Sequence, residues 1–374
     1  MPWQEVNRVS LRQEFIQMSR KESMPFSALC QRFSISRKTG YKWLERYNAF
    51  GEAGLLDRSK TPHNFPNQAS QEIEKHVRRL REKHPAWGAR KLRARLQNLG
   101  HTDLPSAGCI HKILQRNGLI TVQETSKPWQ RFEKEYPNHL WQMDFKGHFP
   151  TLDGGRCHPL TVLDDHSRYS LVLKACDNEQ GKTVQKALTQ AFRQYGLPYE
   201  MLMDNGGPWG NPEGRYTVFS AWLIRLGIKV SHSRPHHPQT QGKEERFHRT
   251  LQAEVLSRRV FRGLRDCQQA LDSWRQVYNH QRPHQALEMK CPDERYRFSP
   301  IAYPESLPPI EYGPEDVVRK VLKDGFIAYK GKRIKACSSA FRGQPVALRP
   351  TGQEGILAVY FCHQRVGQID LKKS

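Results

Sequence analysis

Over the first 120 residues apolar positions recur at three- and four-residue spacing, and from about residue 138 they gather into short alternating or continuous runs. The first pattern predicts helices and the second predicts strands. Residues 9–50 predict three short helices, with Pro25 opening the second and Ser36 capping the third. Phe26–Phe33, a short turn and Arg37–Leu44 have the proportions of a helix-turn-helix. Trp43, Leu44 and Tyr47 fall at core spacing, which turns Arg37, Lys38 and Lys42 outward. A similar triple follows over 70–83, 88–99 and 106–117, broken at Pro85 and Gly100, with Arg90, Lys91, Arg93 and Arg95 on its middle helix.

Further along, Leu140–Lys146, Cys157–Leu163 and Tyr169–Ala175 read as strands joined by turns at Gly154-Gly155 and Asp165-His166-Ser167. A helix near 180–195, a strand at Glu200–Met203, a helix near 215–226 and a strand at Ile228–Ser231 come next, and helices near 242–258 and 265–279 close the region. This order predicts a mixed α/β sheet covered by helices. After proline-rich residues 300–314, Val317–Leu322, Phe326–Tyr329, Pro345–Arg349, Ile356–Phe361 and Val366–Leu371 predict a small all-β, barrel-like module.

The expected organisation is therefore multidomain. An all-α helix-turn-helix domain (1–60) is followed by a linker (61–69), a second helix-turn-helix-like unit (70–120) and a linker (121–137). The α/β core (138–299), a linker (300–314) and the β module (315–374) complete it.

Charge narrows the class of partner. Sixty Lys and Arg against 37 Asp and Glu give +23, which favours polyanions through counterion release. Residues 1–136 carry 25 basic and 13 acidic residues, an excess of 12 on about a third of the chain. Two basic helical units in tandem predict one extended footprint on double-stranded DNA. The basic segment 58–66 between them is either a minor-groove arm or a plain spacer. No run approaches the ~18 apolar residues of a membrane span, and the N-terminus lacks the apolar run of a signal peptide. Eight scattered cysteines show no Cys-x-x-Cys pair and no zinc-finger spacing, so they are read as reduced core thiols. These features predict a soluble intracellular protein with no membrane partner.

Three carboxylates carry the candidate chemistry. Asp144 lies inside the first strand, where an unpaired buried carboxylate is costly; Asp204 ends a later strand before Asn205-Gly206-Gly207; Glu245 lies in the first turns of a helix. Three such groups can hold two hard cations about 4 Å apart, one at the attacking oxygen and one at the leaving oxygen. Oxygen ligands favour Mg²⁺, or Mn²⁺ in its place, over Zn²⁺. Spacing alone does not distinguish this triple from others among 37 acidic residues.

The surrounding motifs do. Trp141-Gln142-Met143-Asp144-Phe145, Leu163 to Tyr169, Asp204-Asn205-Gly206, Ser233 to Phe247 and Tyr278 to His284 together resemble the integrase core of bacterial insertion-sequence transposases, in order, over about 138–295. Trp43-Leu44, Tyr47, Gly51, Gly54-Leu55, Arg58-Ser59 and Pro62 resemble the helix-turn-helix of the same transposases. The resemblance implies a ribonuclease-H-like core and a catalytic, metal-binding DDE triad carried over to Asp144, Asp204 and Glu245. It implies cleavage of 3′ ends at the terminal inverted repeats of an element and their transfer into target DNA, by at least a dimer on DNA and with no small-molecule substrate. It also implies a bacterial cytoplasmic location at the nucleoid.

Neighbouring residues keep two readings. Asp164 and Asp165 are metal ligands or turn and capping residues. His236 and His237 contact phosphate or shape their loop. Lys243, Arg246 and Arg249 are read as DNA contacts beside the triad. Glu244 stands at the end of an apolar stripe with Phe247, Leu251 and Val255, about 100° from Glu245, in a position where the family pattern has an apolar residue. Two rival functions remain: a structure-specific nuclease that cuts without joining, and a DNA-binding regulator with an inactive core.

Overall fold

The computed structural model describes residues 8–21, 24–57, 69–120, 133–210, 216–233 and 242–372. Residues 61–68 of the predicted 61–69 linker, most of that at 121–137, and His236 and His237 lie outside them. The chain separates into two compact units, 1–68 and 69–374.

In the first unit, helices α1 (Arg8–Arg20), α2 (Phe26–Arg32) and α3 (Arg37–Phe50) close on Phe15, Ile16, Leu29, Cys30, Trp43 and Leu55. The Ser36 hydroxyl accepts from Thr39 N at 3.2 Å, satisfying one orphan donor at the start of α3. At Gly40 a Cβ would lie 2.7 Å from Cys30 Sγ, so α2 and α3 approach this closely only because α3 carries glycine there. Pro25 serves as the N-cap of α2 rather than as its first helical residue.

The second unit opens with α4 (Gln71–Lys83), α5 (Ala89–Asn98) and α6 (Ala107–Arg116), capped by Ser70 and Ser106 at α4 and α6. Their core of Val77, Trp87, Leu92, Leu96, Ile110, Ile113 and Leu114 also receives Val277 from a later helix. This helical triple therefore packs onto the α/β core and shares its compact unit.

The sheet comprises β1 (Leu140–Phe145), β2 (Phe149–Pro150), β3 (Arg156–Asp164), β4 (Ser170–Cys176), β5 (Glu200–Met203) and β6 (Lys229–His232). β3 pairs antiparallel with β1, β2 and β4, whereas β1, β5 and β6 run parallel to one another. Helix α7 (Gly181–Tyr195) buries Val184, Ala187, Leu188, Ala191 and Phe192 into the core, and α8 (Val218–Arg225) adds Phe219, Leu223 and Ile224 to the same cluster. Phe247 and Leu251 of α9 (Gly242–Leu251) form a second cluster with Leu271, Trp274 and Tyr278 of α10 (Leu264–His280). The predicted helix 242–258 is α9 followed by a π-helical turn, Gln252–Leu256.

The β module holds β7 (Val317–Lys320), β8 (Phe326–Tyr329), β9 (Lys332–Lys335), β10 (Pro345–Pro350), β11 (Ile356–Phe361) and β12 (Gln364–Asp370), ordered β12-β11-β10-β7 with β8-β9 as a separate hairpin. β9, Lys-Arg-Ile-Lys, has one buried residue, Ile334, and so little hydrophobic signal that the sequence does not predict it. The module shares a hydrophobic cluster with the core sheet. Its Gln364 side chain accepts from Val230 N at 2.8 Å and donates to Val230 O at 2.7 Å, pairing the main chain of β6 as a further strand would. No helix among the described residues is long and apolar enough to cross a membrane.

Candidate active site

The parallel pairing of β1 with β5 sets Gln142 beside Leu202; carried on two residues, that register directs Asp144 and Asp204 to the same end of the sheet, and Asp144 feels the charge of Asp204. Adjacent strands lie about 5 Å apart, so two carboxylates share one small volume. Burial, and then the neighbouring Asp204, push the Asp144 carboxyl up to about 7. A pair of this kind has the hard oxygen donors and the uncompensated negative charge that suit a divalent cation.

Each aspartate is held from the main chain. Asp144 Oδ1 accepts from Phe145 N at 2.8 Å. Asp204 Oδ1 accepts from Gly206 N at 3.0 Å and from the Trp209 indole Nε1. A Cβ at Gly206 would stand 3.1 Å from Asp204 Oδ2, so glycine leaves the carboxylate its place in the turn. The His232 ring Nδ1 lies 2.9 Å from the Asp204 carbonyl, fixing the end of β5 to β6.

Helix α9 covers the opposite side. Glu244 is fully buried with Phe247 and Leu251, whereas Glu245 is exposed, as their 100° separation requires. Glu244 Oε2 accepts from Thr161 Oγ1 at 3.0 Å, and burial, followed by Asp144, holds its carboxyl well above the ordinary range. The sequence reading missed Thr161, His248 and Trp209 around these carboxylates. Two signals were present: His248 stands four residues after Glu244, and Thr161 lies on the strand that pairs with Asp144.

Asp164 and Asp165 are turn and strap anchors. Asp164 accepts from Asn138 N, Ser167 N and Ser167 Oγ, and Asp165 from Lys134 N and Gln142 Nε2. Lys243, expected on DNA, instead donates to Asp165 and is mostly buried. Burial, then Arg168, lowers its ammonium to about 8. Arg246 and Arg249 are exposed on α9.

The remaining basic residues also divide. Arg37, Lys38 and Lys42 are exposed on α3. Of the basic residues of α5, Arg90 alone is exposed. Arg93 Nε is committed to Pro105 O at 3.1 Å, Arg95 is half-buried, and burial followed by Arg282 lowers the Lys91 ammonium to about 8. The packing of α4–α6 on the core turns Lys91 inward toward Arg282 and Glu254, whereas Arg93 is held within the helical triple itself.

A mixed sheet with paired aspartates at the ends of β1 and β5 defines a ribonuclease-H-like integrase core. Comparison with known families agrees: an integrase core domain matches residues 134–238 and again 226–292. A helix-turn-helix domain matches 11–63, a homeodomain-like domain 39–114, and the C-terminal domain of IS481 family transposases 316–374. An uncharacterised protein of insertion element IS407 from Burkholderia multivorans is 25% identical over 61% of this chain and 82% of its own length. One from insertion element IS476 of Xanthomonas euvesicatoria is 28% identical over 68% and 73%. Among solved structures, a simian T-cell lymphotropic virus intasome is 17% identical over 78% of this chain and 98% of that one, with a TM-score of 0.37. Helix-turn-helix segments, an integrase core and a C-terminal domain of the IS481 transposase kind thus follow one another along the chain, which is similar to proteins of insertion elements.

Proposed function

We propose that this chain is an insertion-sequence transposase that binds the terminal inverted repeats of its own element, cleaves at the 3′ ends and transfers them into target DNA. The observation that carries the reading is the pair Asp144 and Asp204, brought together at two parallel strand ends with Asp144 pushed up to about 7. Glu245, exposed on α9, is assigned as the third carboxylate. Mg²⁺ or Mn²⁺, two ions per site, would supply charge stabilisation for the attacking and leaving phosphodiester oxygens.

The chain's own residues set the stage. Trp209 and Gly206 orient Asp204, and α3 presents Arg37, Lys38 and Lys42 to the element end. Arg90, Arg246 and Arg249, exposed on α5 and α9, give phosphate contacts. Two phosphoryl transfers are proposed: water opens the phosphodiester and frees a 3′ hydroxyl, which then attacks target DNA in line. Joining two ends calls for at least a dimer on DNA, acting at the bacterial nucleoid.

Labelled terminal repeats incubated with the protein, a target plasmid and Mg²⁺ test the reading. Joined product is expected. Cleavage without joining would make the protein a nuclease, and binding alone a regulator.

A further inference from the structure

Burying a carboxyl group is costly unless its hydrogen bonds are met, and Glu244 heads a stripe that is otherwise Phe247, Leu251 and Val255. An apolar side chain would pack there without that cost. The neighbours of Glu244 supply a reason for the acid.

Thr161 on β3 is fully buried, and its single hydroxyl has three polar partners: Asp144 O at 2.9 Å, Glu244 Oε2 at 3.0 Å and His248 Nε2 at 2.9 Å. Glu244 and His248 stand one helical turn apart on α9, 3.6 Å from each other, and His248 Nδ1 lies 3.9 Å from Asp144 Oδ2. A hydroxyl offers one proton and two lone pairs, and a main-chain carbonyl only accepts. Oγ1 has one proton to give to Asp144 O or to Glu244 Oε2, and its lone pairs are open to His248 Nε2, so one hydroxyl serves all three. The hydroxyl thus joins the backbone of β1, at the residue bearing one candidate carboxylate, to the helix bearing another, Glu245.

We infer that Thr161, Glu244 and His248 are positioning residues, a buried hydrogen-bonded bridge that holds Asp144 of β1 and Glu245 of α9 at the separation a shared cation needs. The inference rests on the reading of Asp144 as a metal ligand. Partners behind a ligand commonly matter: losing one typically weakens metal affinity about 10–100-fold. A tie across the sheet–helix boundary acts in this way because small shifts of either element change the spacing of the oxygens.

The test measures free Mn²⁺ by electron paramagnetic resonance during titration of the full chain, well below its melting temperature, so no turnover is required. Thr161→Val keeps shape and removes the hydroxyl, and it is expected to weaken Mn²⁺ binding by about tenfold or more. Thr161→Ser, which restores the hydroxyl, is expected to bind within threefold of the parent. Glu244→Gln keeps a side-chain oxygen that accepts from the hydroxyl and is expected to behave like Thr161→Ser, whereas Glu244→Leu is expected to behave like Thr161→Val. If Thr161→Val does not fold, the Glu244 pair decides the matter on its own. Parent-like Mn²⁺ affinity in both Thr161→Val and Glu244→Leu, while Asp144→Asn loses it, would overturn the positioning role alone. Unchanged Mn²⁺ binding in Asp144→Asn would instead overturn the metal-site reading beneath it.

Discussion

Phe145 stacks on Trp209 with ring centroids 5.3 Å apart and planes 11° from parallel, while the same indole donates to Asp204. The residue after Asp144 thereby packs against the residue that orients Asp204. The two candidate ligands are linked through an aromatic pair as well as through the sheet, and the pair fixes the turn after β5.

Asp144→Asn and Asp204→Asn are each expected to abolish cleavage and joining while leaving end binding unchanged, because both reactions draw on one pair of carboxylates. Trp209→Phe keeps the stack and removes the donor, and its expected activity falls about 10–100-fold. Gel-shift and strand-transfer assays on the same preparations check this. Activity of either aspartate variant within tenfold of the parent would remove that residue from the site.

Glu245→Gln is expected to eliminate strand transfer, whereas Glu244→Gln retains most of it. The exposed carboxylate is the one free to meet a cation, and the buried one is committed to Thr161. The reverse outcome would reassign the third ligand to Glu244.

Alanine at Arg37, Lys38 and Lys42 together is expected to weaken binding to terminal repeats and leave the core folded, since all three are exposed on α3. Each direct base contact contributes about 1–3 kcal/mol of discrimination. Measured affinity for repeat and random DNA should converge; an unchanged ratio would take α3 out of sequence reading.

Lys243→Met is expected to lower stability by about 3 kcal/mol, because it leaves the buried Asp165 without its cation. The slope of DNA affinity against salt is expected to stay the same, whereas Arg246→Ala should reduce it by roughly one phosphate contact. Denaturant unfolding and salt titration separate the two.

His84 stacks face to face on Trp87, 3.9 Å between centroids, and burial, then Lys83, lowers its imidazole to about 4. The unfolded chain binds the proton near pH 6.5 and the folded chain only near 4. The stability this group contributes is therefore present above 6.5 and is lost as pH falls towards 4. His84→Gln should flatten the acid limb of the melting curve in that window; an identical limb in both proteins would show that His84 does not set it.

Much of the architecture is determined by local pattern. β5 and β8 coincide with their predicted spans and α7 nearly so, because buried strands and amphipathic helices print their periods directly in the chain. The separation of Glu244 from Glu245 is also legible, since 100° per residue is a property of the helix itself. Lys243 shows where that legibility stops. Its position in a basic stretch beside the triad reads as a DNA contact, and only the approach of α9 to the Asp165 turn, 78 residues away in sequence, makes it an internal ion pair. The inward turn of Lys91 depends in the same way on α4–α6 packing against α10, and the bridge through Thr161 depends on β3 pairing with β1 where α9 packs on the sheet. Periodicity records which face of an element is apolar. Which partner meets the polar groups along that face is decided by contacts between residues far apart in the chain, so it appears only in the tertiary structure.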